Sequence, residues 1–249
     1  MNTASHIFAL MLASIATATS AAPPAPDTRD QAIALIASSY EYNIGYQIIE
    51  SLTTEVGARQ AGSEAEARAR RWGADKFRQL GFSNVRIEPF EVEFWERASE
   101  RAEIVAPFPQ NLAITSLGGS VGTSDDGVRG DVVRFATLQA LKDAPRTGLE
   151  GKIVFVDEPM TRTQDGSGYG VAVAKRSGAA NEAGKRGALA ALIRSVGTDH
   201  HRFPHTGQMY YQPEVAKVPT AALSAPDADQ LQRALSRGPV ELSLRLNVQ

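Results

Sequence analysis

Three histidines crowd the stretch RSVGTDHHRFPHTG, residues 194–207: His200, His201 and His205. The fourth histidine of the chain, His6, stands near its start. Neutral imidazole is a good zinc ligand, so a cluster of this kind raises the question of a metal centre. His201 and His205 are four residues apart, which on a helix would stack them on one face. Pro204 lies between them and breaks such a helix. The helical zinc motif also wants a glutamate between its histidines, and none is present. No cysteine is available and the nearest carboxylate is Asp199. The segment therefore reads as a polar loop, with a small metal-binding protein built on it as a separate alternative.

Other chemistry-bearing residue types are weaker. Asp125-Asp126-Gly127 offers two adjacent carboxylates, but acidic residues before glycine are what a turn wants. DEPMTRTQDGSGYG, residues 157–170, is glycine-rich, yet GSGYG lacks the strand-to-helix GxGxxG spacing of a dinucleotide site. It is expected to lead into a helix, with a loop along a peptide cleft as the sharper option. No GxSxG elbow occurs, so a serine triad would have to draw on the histidine loop and is not expected.

The elements that position these residues follow from pattern. The chain has 249 residues, 43% hydrophobic and 22% charged, with a formal net charge of -2. That fits one large globular domain or two small ones, and it excludes a strongly basic nucleic-acid binder. Residues 7–16, IFALMLASIA, are followed by small residues, as in a secretory signal peptide cleaved near Ala21 or Ala22. The run is too short to span a bilayer. Apolar spacing predicts a helix over 28–55, weakened at Gly45. A second helix opens with a capping box of Ser63 and Glu66 and closes at Gly81. Residues 84–94, NVRIEPFEVEF, alternate as a strand does, with Pro89 confining it to an edge or bulge. After residue 99, seven short β-like runs are interleaved with helices in VAVAKRSGAANEAGKRG and APDADQLQRALSR. Ser224 and Asp227 cap the latter. Mixed strands and helices predict an α/β or α+β fold.

These segments carry a resemblance. LTTEVGARQAGSEAEARARRWGADKFRQLGFSNVRIEPFEVEFWERASE resembles the N-terminal segment of zinc-dependent exopeptidases of the carboxypeptidase Q and aminopeptidase kind. It holds Leu-Thr-x-x-x-Gly-x-Arg, then Gly-Ser, a helix with Trp72, and Trp95-x-Arg97. LGGSVGT, GKIVFVD, GYG, RSGAANEAGKRGALAALIRS, HTG and VPTAALSAPDADQL are similar to the protease-associated domain inserted in those enzymes. The resemblance implies a signal peptide at 1–22, an incomplete N-terminal part of the peptidase domain at 23–98, and a protease-associated domain of mixed strands and helices at 99–249.

The family's zinc ligands and general base follow the insertion, opening with His-x-Asp. No histidine follows His205 here. The resemblance thus implies a truncated, secreted or periplasmic exopeptidase with no catalytic residue, no metal ligand and no cofactor of its own. Zinc is expected only in full-length relatives. His205, Tyr210 and Tyr169 are the substrate-facing candidates. The expected partners are a peptide substrate or the missing catalytic segment, with no nucleic acid and no stable membrane insertion. The alternative is a stand-alone binding module that takes peptides or protein partners without catalysis.

Overall fold

The computed structural model describes residues 27–42 and 44–249. The expected signal peptide lies outside the described residues. The chain divides into two compact units, which part between Pro89 and Phe90.

In the first unit, α1 (Thr28–Glu41) starts at Asp27, whose carboxylate accepts the Arg29 N–H. The single helix expected over 28–55 is instead α1, α2 (Ile44–Ser51) and a π-helical turn, Leu52–Val56. Tyr42 leaves helical dihedrals at φ -119° and ψ 77°. Gly45 then falls in the first turn of α2 rather than mid-helix, where its backbone freedom would cost more. α3 (Glu64–Gln79) begins at Ser63, whose hydroxyl accepts the Glu66 N–H at 3.1 Å. Only half of the expected capping box forms. Glu66 turns instead to Arg70, at 3.0 Å, and the Ser63 N–H is taken by the Gln60 carbonyl. Gly81, at φ 86°, ends the helix as a left-handed cap, and Phe82 packs edge-on against Phe77. Trp72 Nε1 donates to Ser51 Oγ at 2.8 Å, which ties α3 to the end of α2. Burial is sparse. Val56 and Ala74 are the buried apolar residues among those described in this unit.

The strand expected over 84–94 does not form. No helix or strand is assigned between Asn84 and Glu96, and Ile87, Phe90, Val92 and Phe94 are all exposed. Alternation supplies the side chains of a strand but not the neighbour its backbone needs, and no neighbour is present among the described residues.

The second unit holds the sheet. Its elements are β1 (Arg97–Ala106), β2 (Gln110–Leu112), β3 (Ile114–Ser116), β4 (Val128–Phe135), α4 (Leu138–Asp143), β5 (Ile153–Val156), α5 (Ser167–Val173), α6 (Lys175–Gly184), β6 (Ala190–Arg194), β7 (Thr220–Leu223), α7 (Ala225–Leu235) and β8 (Glu241–Val248). The strand order is β2-β1-β8-β4-β5-β6-β7-β3. β4 to β7 run parallel, and the other pairs are antiparallel. Only Ala113 separates β2 from β3, yet the two lie at opposite edges. One stretch of chain therefore borders both ends, and the sheet is rolled until they meet. β1 reaches β3 directly: Glu100 accepts the Ser116 N–H at 2.6 Å and Arg97 Nε donates to its carbonyl at 3.0 Å.

The parallel strands β5 and β6 are apolar throughout because both faces are covered. Ile153, Phe155, Ala190, Leu192 and Leu223 join Leu242, Leu244 and α7 residues Leu231 and Ala234 in one core. Val154, Val156, Ala191 and Ile193 join Leu141 of α4 and the alanines of α6 in the other. The described residues include no helix long and apolar enough to cross a membrane.

Candidate functional site

The histidine loop follows β6, and each ring finds a different partner. His200 Nε2 meets Asp229 at 3.0 Å. His201 Nε2 lies 3.8 Å from Asp199 and its ring stacks edge-on near Phe203. His205 Nδ1 contacts the Val196 carbonyl, and its backbone N–H donates to Ser195 Oγ at 2.9 Å. A carbonyl only accepts, so Nδ1 carries the proton there. Ser195 Oγ is itself spent on the Leu223 carbonyl at 2.6 Å, and no ring nitrogen of His205 points to it. Among the described residues no three His, Asp or Glu side chains converge on a point. The described residues do not fit the paired zinc centre that the resemblance implies for full-length exopeptidases.

The loop is nevertheless held firmly, and α6 holds it. Arg176 Nη2 donates to the Thr206 carbonyl at 2.9 Å and Nη1 to the Tyr169 hydroxyl at 3.0 Å. Its guanidinium also lies 5.6 Å from the Tyr169 ring centre, within cation–π range. Gly207 packs against this group so closely that a Cβ there would stand 2.2 Å from Nη1. At the next residue, Ser177 Oγ accepts the Tyr210 N–H at 3.0 Å. Asn181 donates to the Tyr210 carbonyl at 3.0 Å and accepts the Gln212 N–H at 2.7 Å. Arg176 and Asn181 are buried, while the side chains of Tyr169, His205 and Tyr210 are exposed. Arg176 thus brings Tyr169 and the His205–Gly207 turn together. Tyr210 is fixed by its backbone alone. Sequence reasoning missed Arg176, Ser177 and Asn181, because VAVAKRSGAANEAGKRG predicts a helix without saying which of its polar side chains are buried. The available signal was two polar side chains four apart, Ser177 and Asn181, with only Gly178, Ala179 and Ala180 between them.

A second polar cluster sits at the carboxyl ends of β4, β5 and β6. Asp157 is buried between Arg134, at 2.6 Å, and Arg194, at 2.7 Å. Arg194 continues to Asp229 at 2.7 Å. Partial burial opposes the charge on Asp229, but hydrogen bonds from His200 and Arg194 outweigh it and hold its pKa below the usual range. Lys175 is fully buried, and its ammonium donates to the Glu158 carbonyl. Burial pushes its pKa down to about 8, against the pull of Glu158 and Asp157. Beside it, residues 158–172 line an open pocket of about 320 Å³, with Glu158, Thr161, Thr163, Ser167 and Val171 on its walls. The glycine-rich stretch noted in the sequence is this wall. Asp125 and Asp126 sit in a turn, where Gly127 N–H bonds the Ser124 carbonyl at 2.8 Å.

No family model matches the chain. Over 196 residues it is 36% identical to carboxypeptidase Q of Xenopus laevis. Among solved structures it resembles a Peptidase M28 precursor from Shewanella amazonensis, with 43% identity and a TM-score of 0.83 over 89% of the chain. The chain is a homologue of carboxypeptidase Q and the M28 peptidases. The zinc aminopeptidase of Bacillus subtilis, at 20% identity and a TM-score of 0.54 over 82% of the chain and 43% of its own, shares the fold. This carboxypeptidase Q homologue spans 40% of the Xenopus relative and 50% of the Shewanella chain. The match covers 79% of its own length, so both units share in a relationship that the loops alone would not reveal.

Proposed function

We propose that this chain is the N-terminal portion of a secreted or periplasmic zinc exopeptidase that hydrolyses terminal peptide bonds. The observation that carries the reading is homology to carboxypeptidase Q and M28 peptidases over most of this chain but half or less of theirs. Residues 1–22 serve as the signal peptide and 99–249 as a protease-associated domain. The zinc ligands and general base belong to the part of the relatives that this chain does not match. Zinc there would lower the pKa of a bound water and supply the nucleophile. No side chain described here replaces it. The role left to this chain is to shape access: Tyr169 on α5, and His205 and Tyr210 on the loop that Arg176 and Asn181 keep in place, face peptide. Its partners are accordingly a peptide substrate and the missing catalytic segment. Purified residues 23–249, supplied with zinc, are expected to leave aminoacyl and dipeptide substrates intact. Hydrolysis that survives controls for contaminants overturns the reading.

A second reading has its own observation. The second unit contains the whole rolled sheet and both hydrophobic cores, as a stand-alone binding module would. Peptide capture by residues 90–249, undiminished when the first unit is absent, favours it.

A further inference from the structure

α7 carries its charges in two groups. Asp227 and Asp229 stand near its start, and both are engaged: Asp227 by Arg202 at 2.8 Å and Asp229 by Arg194 at 2.7 Å. Arg233 and Arg237 stand at its end, and neither pairs with a carboxylate among the described residues. Arg233 Nη2 donates to Gln230 Oε1 at 3.0 Å, and Arg237 Nη1 to the Arg233 carbonyl at 2.6 Å. Each guanidinium keeps further N–H donors for another acceptor. Both arginines line an open pocket of about 260 Å³, together with Gln230, Ala234, Phe108 and Gln110. No acidic side chain is among its walls. Phe108 stands 49% exposed beside them. The pocket lies at the end of the β1–β8 ladder where Ala106 pairs with Glu241. Glu96 and Gln249 pair with each other at the opposite end. β1 is 10 residues long, which puts about 30 Å between the two ends. All six walls belong to the second unit, so the segments that leave the sheet at Glu96 and Gln249 do not account for the pocket's openness.

We propose that this pocket binds a small carboxylate borne on an aromatic body, held by Arg233 and Arg237 with its ring against Phe108. The last turn of a helix favours cations, which explains why arginines stand there but not why two of them converge with a phenylalanine on one hollow. Arginines four residues apart repel each other on a helix face, and an anion between them relieves the repulsion. A guanidinium fork matches a carboxylate with two parallel hydrogen bonds, so two forks fix both its position and its plane. Gln110 and Gln230 add neutral donors and no competing charge. The volume lies just below the ~300–1,000 Å³ common for small-molecule sites, which suits one ring and a short acid rather than several residues of a peptide. The inference goes beyond the exopeptidase reading and does not rest on it, since it uses only α7 and the β1–β2 turn.

The test uses the full chain and four probes: 3-phenylpropionate, its neutral amide, 3-phenylpropylammonium, and the peptide acetyl-Gly-Gly-Phe with a free carboxylate. Ligand-detected NMR titrations at low ionic strength give the dissociation constants. The acid is expected to bind about tenfold more tightly than its amide, because charge-assisted hydrogen bonds are about twice as strong as neutral ones. That preference should shrink as salt is added. Phe108→Ala should weaken 3-phenylpropionate by about threefold or more through lost ring contact. In Arg233→Glu/Arg237→Glu the preference should pass from the acid to 3-phenylpropylammonium. That gain of binding separates the effect from simple misfolding. Equal binding of acid and amide, binding of neither, or an acid preference that survives the charge reversal overturns the proposal. Tighter binding of the peptide than of 3-phenylpropionate overturns the assignment to a small acid. None of these outcomes reads peptide hydrolysis, so failure here is distinct from failure of the exopeptidase assignment.

Discussion

At the scale of single residues, the most informative side chains are two buried cations that the sequence hid in one helix. Arg176 spends its guanidinium on Tyr169 and the Thr206 carbonyl, so it latches the histidine loop to α5 and α6. Arg176→Ala removes charged hydrogen bonds at a buried site and should cost about 2–4 kcal/mol. The loop between 196 and 212 should then be cut by protease well before the sheet unfolds. Gly207→Ala tests the same contact from the other side. It forces a methyl into the guanidinium and should cost about 1–3 kcal/mol in urea unfolding, with the protease sensitivity reproduced. Lys175 makes a pH-dependent prediction. Its folded pKa of about 8 lies below the ordinary 10.5, so between these values the unfolded chain binds more protons than the folded one. Stability from this group therefore rises with pH across that window, by on the order of 2–3 kcal/mol. Lys175→Met should erase that rise, as urea midpoints measured at pH 7 and at pH 10 would show.

At the scale of elements, burial is concentrated on the parallel strands. Phe155 on β5 is fully buried between β4, β6 and α7. Phe155→Ala should cost about 3–5 kcal/mol through lost transfer energy and an unfilled cavity. Ile36→Ala on α1 should change stability by less than about 0.5 kcal/mol, because that helix buries none of its residues among those described. Paired urea titrations of the two variants check both. The contrast reads straight from sequence pattern on one side only. IVFV in β5 and AALI in β6 announce fully buried strands, whereas IALIASSY is apolar enough to suggest a core helix and yet is exposed. Periodicity shows what an element can bury, not whether something is there to bury it. The same limit explains residues 84–94, whose alternation is strand-like and whose backbone has no neighbour among the described residues.

At the scale of the whole molecule, the described residues of the two units differ in burial. Phe90–Gln249 holds an eight-stranded sheet with two cores, while the described part of the first unit leaves Ile33, Leu35, Ile36, Tyr40 and Tyr46 exposed. Apolar surface gathered in this way favours association. Residues 90–249 alone should unfold in one cooperative step and scatter light as a monomer. The chain from residue 23 should self-associate as its concentration rises. Monomeric behaviour of the longer piece overturns this expectation.

Local chemistry in the sequence determined the ends of helices, at Ser63, Gly81 and Ser224, and the identity of most core strands. It also excluded a helical zinc motif, through Pro204, and a cysteine-based site. These follow from interactions a few residues long, where side chain and backbone decide together. Only the tertiary structure decided that β2 and β3 close the sheet from opposite edges, that three histidines point to three separate partners, and that Arg176 gathers Tyr169 and the 205–207 turn. Those outcomes depend on contacts between residues far apart in sequence, and no spacing rule carries the distance between Tyr169 and Thr206 once the chain has folded.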